Sequence, residues 1–345
     1  DTEVMKALCH FGYHKYKTID VPPPIMLDDE DILVKVKCCT DSMFSLNLRP
    51  VSTNSFSSSF GTKMTVMGLE SSGVIEKIGK GALSRNLKIG DRVTGFYRAN
   101  CGKCVECIEG RPTMCTNMYH PFGGMAEYFV WKASQIFPIP DTVDFDEACF
   151  AVVVARMLRA IETGKIRAGD SVAVIGANVT SMVLIQLLKI SGASNITVFS
   201  SDSVKSRYAK QLGADYVFNP STDRLSSVLL SLPESSRGFR AIIDTEGDAS
   251  LLTRLMSLIT NEGTLVIPIG YPPDISLPIS LGELYMNEVS IRVVKDDPRY
   301  MSRAISILPM LRLKELITSK LTLNEAHLLF TNDFFKDNIH GMVYI

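Results

Sequence analysis

Three things are missing or scarce in this chain of 345 residues. Charge of one sign is the first: 36 basic and 37 acidic residues leave a net of −1. No bulk field of that size draws in nucleic acid or an anionic membrane, so neither is expected as a partner. The second is any long apolar run. None reaches the roughly 18–20 residues a membrane-spanning helix needs, and the opening residues lack a leader pattern, so a cytoplasmic location is expected. The third is histidine. Histidines 10, 14, 120, 327 and 340 show no metal-ligand spacing and read as structural or exposed residues.

Cysteine is present, and unevenly placed. Four of eight crowd between positions 101 and 115, while Cys9, Cys38, Cys39 and Cys149 stand apart. A chain long enough for two hydrophobic cores needs no disulfide staples, so the crowding points to a metal in a reducing compartment. Cys101, Cys104, Cys107 and Cys115 are separated by two, two and seven residues. Short spacings of this kind wrap a tetrahedral structural zinc, and four protein thiolates leave no open position for chemistry. One structural zinc per chain is expected, within a lobe at about 98–118.

Ser171–Asp215 organises the rest. An apolar β-branched run, Ser171–Ile175, leads into a turn at Gly176–Ser181. Val179, Met182, Val183, Leu187 and Ile190 then repeat at helical spacing before a second strand at Asn195–Ser200. Such a βαβ unit binds a dinucleotide pyrophosphate at its first turn. The fingerprint asks for three glycines, but only Gly176 stands, with Asn178 and Ser181 in the other places. A side chain at 178 either weakens phosphate binding or shifts it outward, and asparagine tolerates a positive φ better than most residues.

Residues 4–40 read as β, with strands at Val4–Cys9 and Ile32–Cys39 around a turn-rich stretch that includes Pro22–Pro24. Ile32, Val34, Val36 and Cys38 alternate onto an inward face. Residues 50–62, rich in Ser, Thr, Asn and Gly, read as a mobile surface loop. After a helical stretch at Asp144–Gly164, strands and helices alternate to about residue 294, which implies a parallel sheet covered on both faces. The tail predicts helices at Tyr300–Leu311 and Glu325–Phe330 and strands at Ile317–Leu323 and Gly341–Ile345.

The chain resembles the medium-chain dehydrogenase/reductase family, in its zinc-alcohol, polyol and threonine dehydrogenase branches. The resemblance rests on Met5-Lys-Ala, Cys38-Cys-Thr-Asp41, Met67-Gly-Leu-Glu70, Gly90-Asp-Arg-Val93, the four-cysteine loop, Gly123-Gly-Met-Ala-Glu-Tyr128, Ala168-Gly-Asp170 and Leu212-Gly-Ala-Asp215. It implies an α/β chain. A GroES-like β-rich catalytic domain covers 1–153 and 295–345, and a doubly wound Rossmann-type cofactor domain covers 154–294. It also implies a small-molecule substrate and a homodimer or homotetramer, joined through Pro268 and Asp274–Val294.

Members of that family usually carry a second, catalytic zinc. Carried over, its ligands fall on Cys38, Leu69 and Val152, so two of three are apolar, although Cys39, Cys149 or His120 could substitute. The His that often ends a proton relay is Met43. Glu70 and the relay hydroxyl Thr40 survive. Cys38 then reads as a buried thiol, and Glu70 and Asp41 as backbone-binding, Arg-pairing or catalytic carboxylates. The adenosine ribose position falls on Ser200, followed by Ser201 and Lys205. Hydroxyls and a cation favour NADP(H) over NAD(H), while a solvated helix start capped by Ser201-Asp202 explains the same residues. Gly176, Asn178 and Val179 complete the expected cofactor set.

Without the second zinc, the resemblance implies hydride transfer to an activated double bond or carbonyl, with Thr40, Glu70 and Tyr97 as candidate catalytic groups. Arg156 and Arg159 fall near the nicotinamide end, or face solvent or phosphate. Two alternatives stand beside this reading. One is a family-fold protein that has lost hydride transfer and serves as a binding or structural subunit. The other is a zinc dehydrogenase with relocated ligands.

Overall fold

The computed structural model describes residues 4–12, 15–42, 64–119, 123–233 and 237–345. The Ser-rich stretch at 50–62 and residues His14, Met43 and His120 lie outside them. The chain divides into two compact units: 153–296 form most of one, and the other combines the N-terminal part up to 152 with 297–345.

In the first unit the strands run Ile317–Thr322, His340–Tyr344, Asp31–Thr40, Glu70–Ile78, Arg92–Gly95 and Ile136–Pro138 across one sheet, and Tyr128–Lys132 also pairs with Asp31–Thr40. A smaller sheet joins Tyr16–Val21, Met5–His10 and Thr65–Val66. The alternation at 32–38 behaves as its pattern requires: Ile32, Val34, Val36 and Cys38 are buried while Lys35 is exposed. Around them pack Leu8, Ile75, Val93, Phe129 and Trp131.

Tyr16–Val21 is a strand where the sequence reads as turn. It lies at the edge of its sheet and is only half-buried, so its apolar alternation is weak. The last two strands of the chain are parallel to each other, and His340–Tyr344 pairs antiparallel with Asp31–Thr40. Residues near 340 are thereby brought against residues near 40.

The second unit is a six-stranded parallel sheet. Its order is Tyr216–Phe218, Asn195–Phe199, Ser171–Ile175, Phe239–Asp244, Ile259–Ile267 and Ser290–Val293. Read by position in the chain this is 3-2-1-4-5-6, the doubly wound arrangement with its switch point beside the first strand. All five residues of Ser171–Ile175 are buried, as both faces of a covered parallel strand require. Leu281–Asn287 forms a helix that the periodicity missed; no residue in it is buried, so no apolar stripe marks it. The stretch Asp144–Gly164 is two helices, Phe145–Ala148 and Ala151–Thr163, parted at Cys149 and Phe150. Glu325–Phe330 belongs to a 3₁₀ segment, Leu323–Phe330.

Candidate functional site

The four lobe cysteines come together in space. Their Sγ atoms all lie within 4.8 Å of one another. Gly102, at φ +70, lets the loop turn back on itself after Cys101. A short helix, Val105–Ile108, carries Cys107. Backbone N–H groups point at the sulfurs: Cys101 N–H donates to Cys115 Sγ and Cys104 N–H to Cys101 Sγ, both at 3.3 Å. Such donors favour the thiolate, and those of Thr116 and Cys107 bring the Cys104 thiol down to about 6. Arg299 anchors the lobe by donating to the Gly110 carbonyl at 2.8 Å, while its guanidinium grips the buried Asp297 carboxylate at 2.7 Å. The donor set, its convergence and its N–H···S contacts fit a structural zinc.

Where the resemblance puts a second metal, the chemistry differs. Cys38 is buried, and desolvation, reinforced by the Asp146 and Asp144 carboxylates, pushes its thiol up to about 12. Cys149 and Cys39, fully buried, are raised well above the ordinary thiol range, again by desolvation. Val152 is 2% exposed and offers no donor atom. Among the described residues, the metal-capable side chains that converge in groups of three or more are the lobe cysteines and Asp144, Asp146 and Glu147. The carboxylate group is engaged elsewhere: Asp144 pairs with Lys314, and Asp146 accepts from Tyr344 Oη at 2.8 Å.

Glu70 is buried, and its carboxylate accepts from the Ser42 backbone N–H at 2.9 Å and from the Ser42 hydroxyl. Thr40 is also buried. Its hydroxyl lies 2.6 Å from the Gly341 carbonyl and 2.9 Å from His340 Nε2. A carbonyl only accepts, so the Thr40 proton goes to Gly341 and Nε2–H of His340 donates to Thr40. Tyr97 is half-buried, its ring 4.9 Å from that of Phe96 and beneath the Arg98 guanidinium.

His340 is the participant that pattern reading passed over. It is fully buried, 5.4 Å from the Phe150 ring, and desolvation lowers its pKa to about 4. No local signal marks it, because its partner Thr40 is 300 residues away. Arg156 does not face solvent: it is 2% exposed and forms a two-pronged ion pair with Asp296, with Nη2···Oδ2 at 2.9 Å. Arg159 donates to the Lys295 carbonyl at 2.5 Å.

In the second unit the turn after Ser171–Ile175 keeps its glycine for a visible reason. Gly176 sits at φ +105, and a Cβ there would meet Thr245 Oγ1 at 2.9 Å and the Glu246 Cβ at 3.0 Å. Asn178 does not need a positive φ; its backbone is extended, at φ −110 and ψ −178, and it caps the helix Val179–Ile190. This corrects the expectation that its tolerance of positive φ would matter. Val179 opens that helix and is fully buried.

At the ribose end, Ser200 Oγ accepts from Asp202 N–H at 3.1 Å, and Ser201 is exposed. Asp202 caps Ser203–Leu212 through Val204 and Lys205 N–H, and its carboxylate lies 3.7 Å from Lys205 Nζ. Position 200 carries a hydroxyl rather than a carboxylate, and in the sequence Ser201, the Asp202 carboxylate and the Lys205 ammonium follow it. The residues fit a nicotinamide dinucleotide at the ribose end and at Gly176. Missed by sequence was a buried acid beside the turn: Asp244 accepts from Glu246 and Gly247 N–H and from the Tyr271 hydroxyl.

Sequence profiles place this geometry. The profile of the alcohol dehydrogenase GroES-like domain matches residues 28–141, and that of zinc-binding dehydrogenases matches 180–295. An alcohol dehydrogenase of Geobacillus stearothermophilus is 33% identical over 236 residues, 66% of each chain. A sorbitol dehydrogenase of Bacillus subtilis is 25% identical over 83% of this chain and 81% of its own. A Sinorhizobium meliloti protein assigned as a zinc-binding dehydrogenase and bound to NADP superposes with a TM-score of 0.89 over 99% of this chain and 100% of its own, at 24% identity.

Proposed function

This chain belongs to the medium-chain dehydrogenase/reductase family, with alcohol and polyol dehydrogenases among its relatives, and from that premise we propose an NADP(H)-preferring oxidoreductase that works without a catalytic zinc. The observation that carries the reading is the contrast between two positions. Four thiols converge in the lobe, whereas the thiol of Cys38 is raised by burial and the two ligand positions that the resemblance pairs with it carry Leu69 and Val152. The acceptor in this reading is a small molecule with an activated double bond or carbonyl.

The bound nicotinamide would supply or accept the hydride. The chain's own residues bind and orient. Gly176 and the start of the Val179–Ile190 helix receive the pyrophosphate, while Ser200, Ser201 and Lys205 receive the adenosine ribose and its 2′-phosphate. A developing enolate needs hydrogen-bond donors and a proton, not a Lewis acid. Thr40 can donate only when its proton leaves the Gly341 carbonyl, and His340 Nε2–H then still holds the hydroxyl in place. Tyr97 is the second candidate donor. Glu70 orients the Thr40–Ser42 stretch through its bonds to Ser42.

The test pairs metal analysis with turnover. One zinc per chain, together with NADPH oxidation by enone, quinone or carbonyl acceptors, is expected. Two zincs per chain and chelator-sensitive alcohol oxidation would instead establish a dehydrogenase with relocated ligands.

We also read the open Ser290–Val293 edge of the parallel sheet as the contact of a homodimer. Val293 there is 70% exposed, and Tyr285 and Met286 nearby in sequence are exposed too. Val293→Lys should convert a dimer to a monomer in light scattering. A monomeric parent chain would refute the reading.

A further inference from the structure

Asn178 makes more hydrogen bonds than a turn residue requires. Its backbone N–H donates to Ser181 Oγ at 2.7 Å, and its side-chain oxygen accepts from Ser181 N–H at 3.1 Å. Ser181 Oγ–H in turn donates to the Asn178 carbonyl at 2.8 Å. The side-chain NH₂ reaches across to the Thr245 carbonyl at 2.9 Å, tying this turn to the loop after Phe239–Asp244. Ser181 is completely buried. The two residues that replace fingerprint glycines are therefore each other's partners.

A pyrophosphate at a helix N-terminus takes its hydrogen bonds from the N–H groups of the turn and first helical residues. Two of those groups, at Asn178 and Ser181, are already bonded within the protein. Glycine at either position has no side chain with which to do this. We propose that the Asn178–Ser181 capping box is an intramolecular competitor for the cofactor's pyrophosphate. Dinucleotide binding exchanges the box for phosphate contacts, and the box thereby lowers affinity while stabilising the ligand-free turn. The inference rests on the reading that this chain binds a nicotinamide dinucleotide.

The consequence is an opposition between two measurable quantities. Replacing an Asn cap by Ala weakens the free protein by an amount that, returned to the bound state, corresponds to roughly a three- to tenfold gain in affinity. Asn178→Ala, Asn178→Gly and Ser181→Ala are compared with the parent chain. Binding of NADPH and of ADP is measured by calorimetry, and melting temperature without ligand is recorded on the same samples.

Both Asn178 variants, which free the Ser181 N–H, should bind NADPH and ADP about three- to tenfold more tightly, and Ser181→Ala, which frees the Asn178 N–H, should also gain. Asn178→Ala should melt lower than the parent chain when unliganded. Unchanged or weaker binding in both Asn178 variants, with a parent chain that does bind, overturns the competitor and leaves the dinucleotide reading standing. A gain in Asn178→Gly without one in Asn178→Ala also overturns it, because side-chain bulk rather than hydrogen bonding would then be the obstacle. If no chain binds either ligand, the competitor and the dinucleotide reading fall together.

Discussion

Thr40 Oγ1 lies 2.9 Å from His340 Nε2, joining a strand near the start of the chain to one at its end. Because the Thr40 proton is taken by the Gly341 carbonyl, His340 must be the neutral Nε2–H tautomer. Its Nδ1 is buried with no hydrogen-bond partner among the described residues. Protonation would place a second N–H, and a charge, in an apolar setting against Phe150.

The pH dependence follows from that. Burial depresses the folded pKa of His340 from 6.5 to about 4. The neutral ring's contribution is therefore fully present above about pH 6.5 and is lost as pH falls from 6.5 towards 4. It amounts to about 3 kcal/mol. His340→Asn, which keeps a donor for Thr40 but cannot titrate, should lose less stability than the parent chain across that window in denaturant titrations. Parallel losses in the two proteins would show that His340 does not titrate with folding.

Zinc removal should act on the lobe as a fold element. Cys115→Ser is expected to leave the protein with less than one zinc per chain and to lower its melting temperature by about 10 °C. Cys38→Ser should leave the zinc content unchanged. Loss of metal from Cys38→Ser, read by mass spectrometry, would place a zinc at Cys38, which belongs to no convergent group of metal-capable side chains among the described residues.

Arg156 and Asp296 predict an asymmetric mutational cycle. Both side chains are buried, so Asp296→Ala strands a guanidinium and should cost about 3–5 kcal/mol. Pairing it with Arg156→Met removes the stranded charge and should recover most of that loss. Additive losses in the double variant would mean that the two do not act as a pair.

Cofactor preference should turn on the residues after the Asn195–Phe199 strand. Lys205→Ala is expected to weaken NADPH binding about tenfold, the scale of one charge-assisted hydrogen bond, with little effect on NADH. Ser200→Asp should reverse the preference through repulsion of the 2′-phosphate. Equal effects on both cofactors would assign Lys205 to its ion pair with Asp202 alone.

How much of this could be read beforehand varied with the range of the interaction. The cysteine lobe was legible because its four donors lie within 15 residues and short loops decide their geometry. The parallel sheet was legible because buried strands such as Ser171–Ile175 announce themselves as apolar runs. Tyr16–Val21 and Leu281–Asn287 were not, since an edge strand and an exposed helix carry little apolar periodicity. At the turn after Ser171–Ile175, sequence registered Asn178 and Ser181 where the dinucleotide fingerprint has glycine. It could not show that Asn178 and Ser181 bond to each other, or that Asn178 is extended rather than left-handed.

By itself, then, the sequence determined the α/β class, the spacing of the lobe thiols and the apolar side chains at 69 and 152, because each is written in local periodicity or in side-chain identity. Only the tertiary structure decided that Thr40 is held by His340, that Arg156 is spent on Asp296, and that Glu70 is engaged by Ser42. Those pairings depend on which strands and loops meet after folding. A hydrogen bond between residues 300 positions apart leaves no trace in the order in which they are joined.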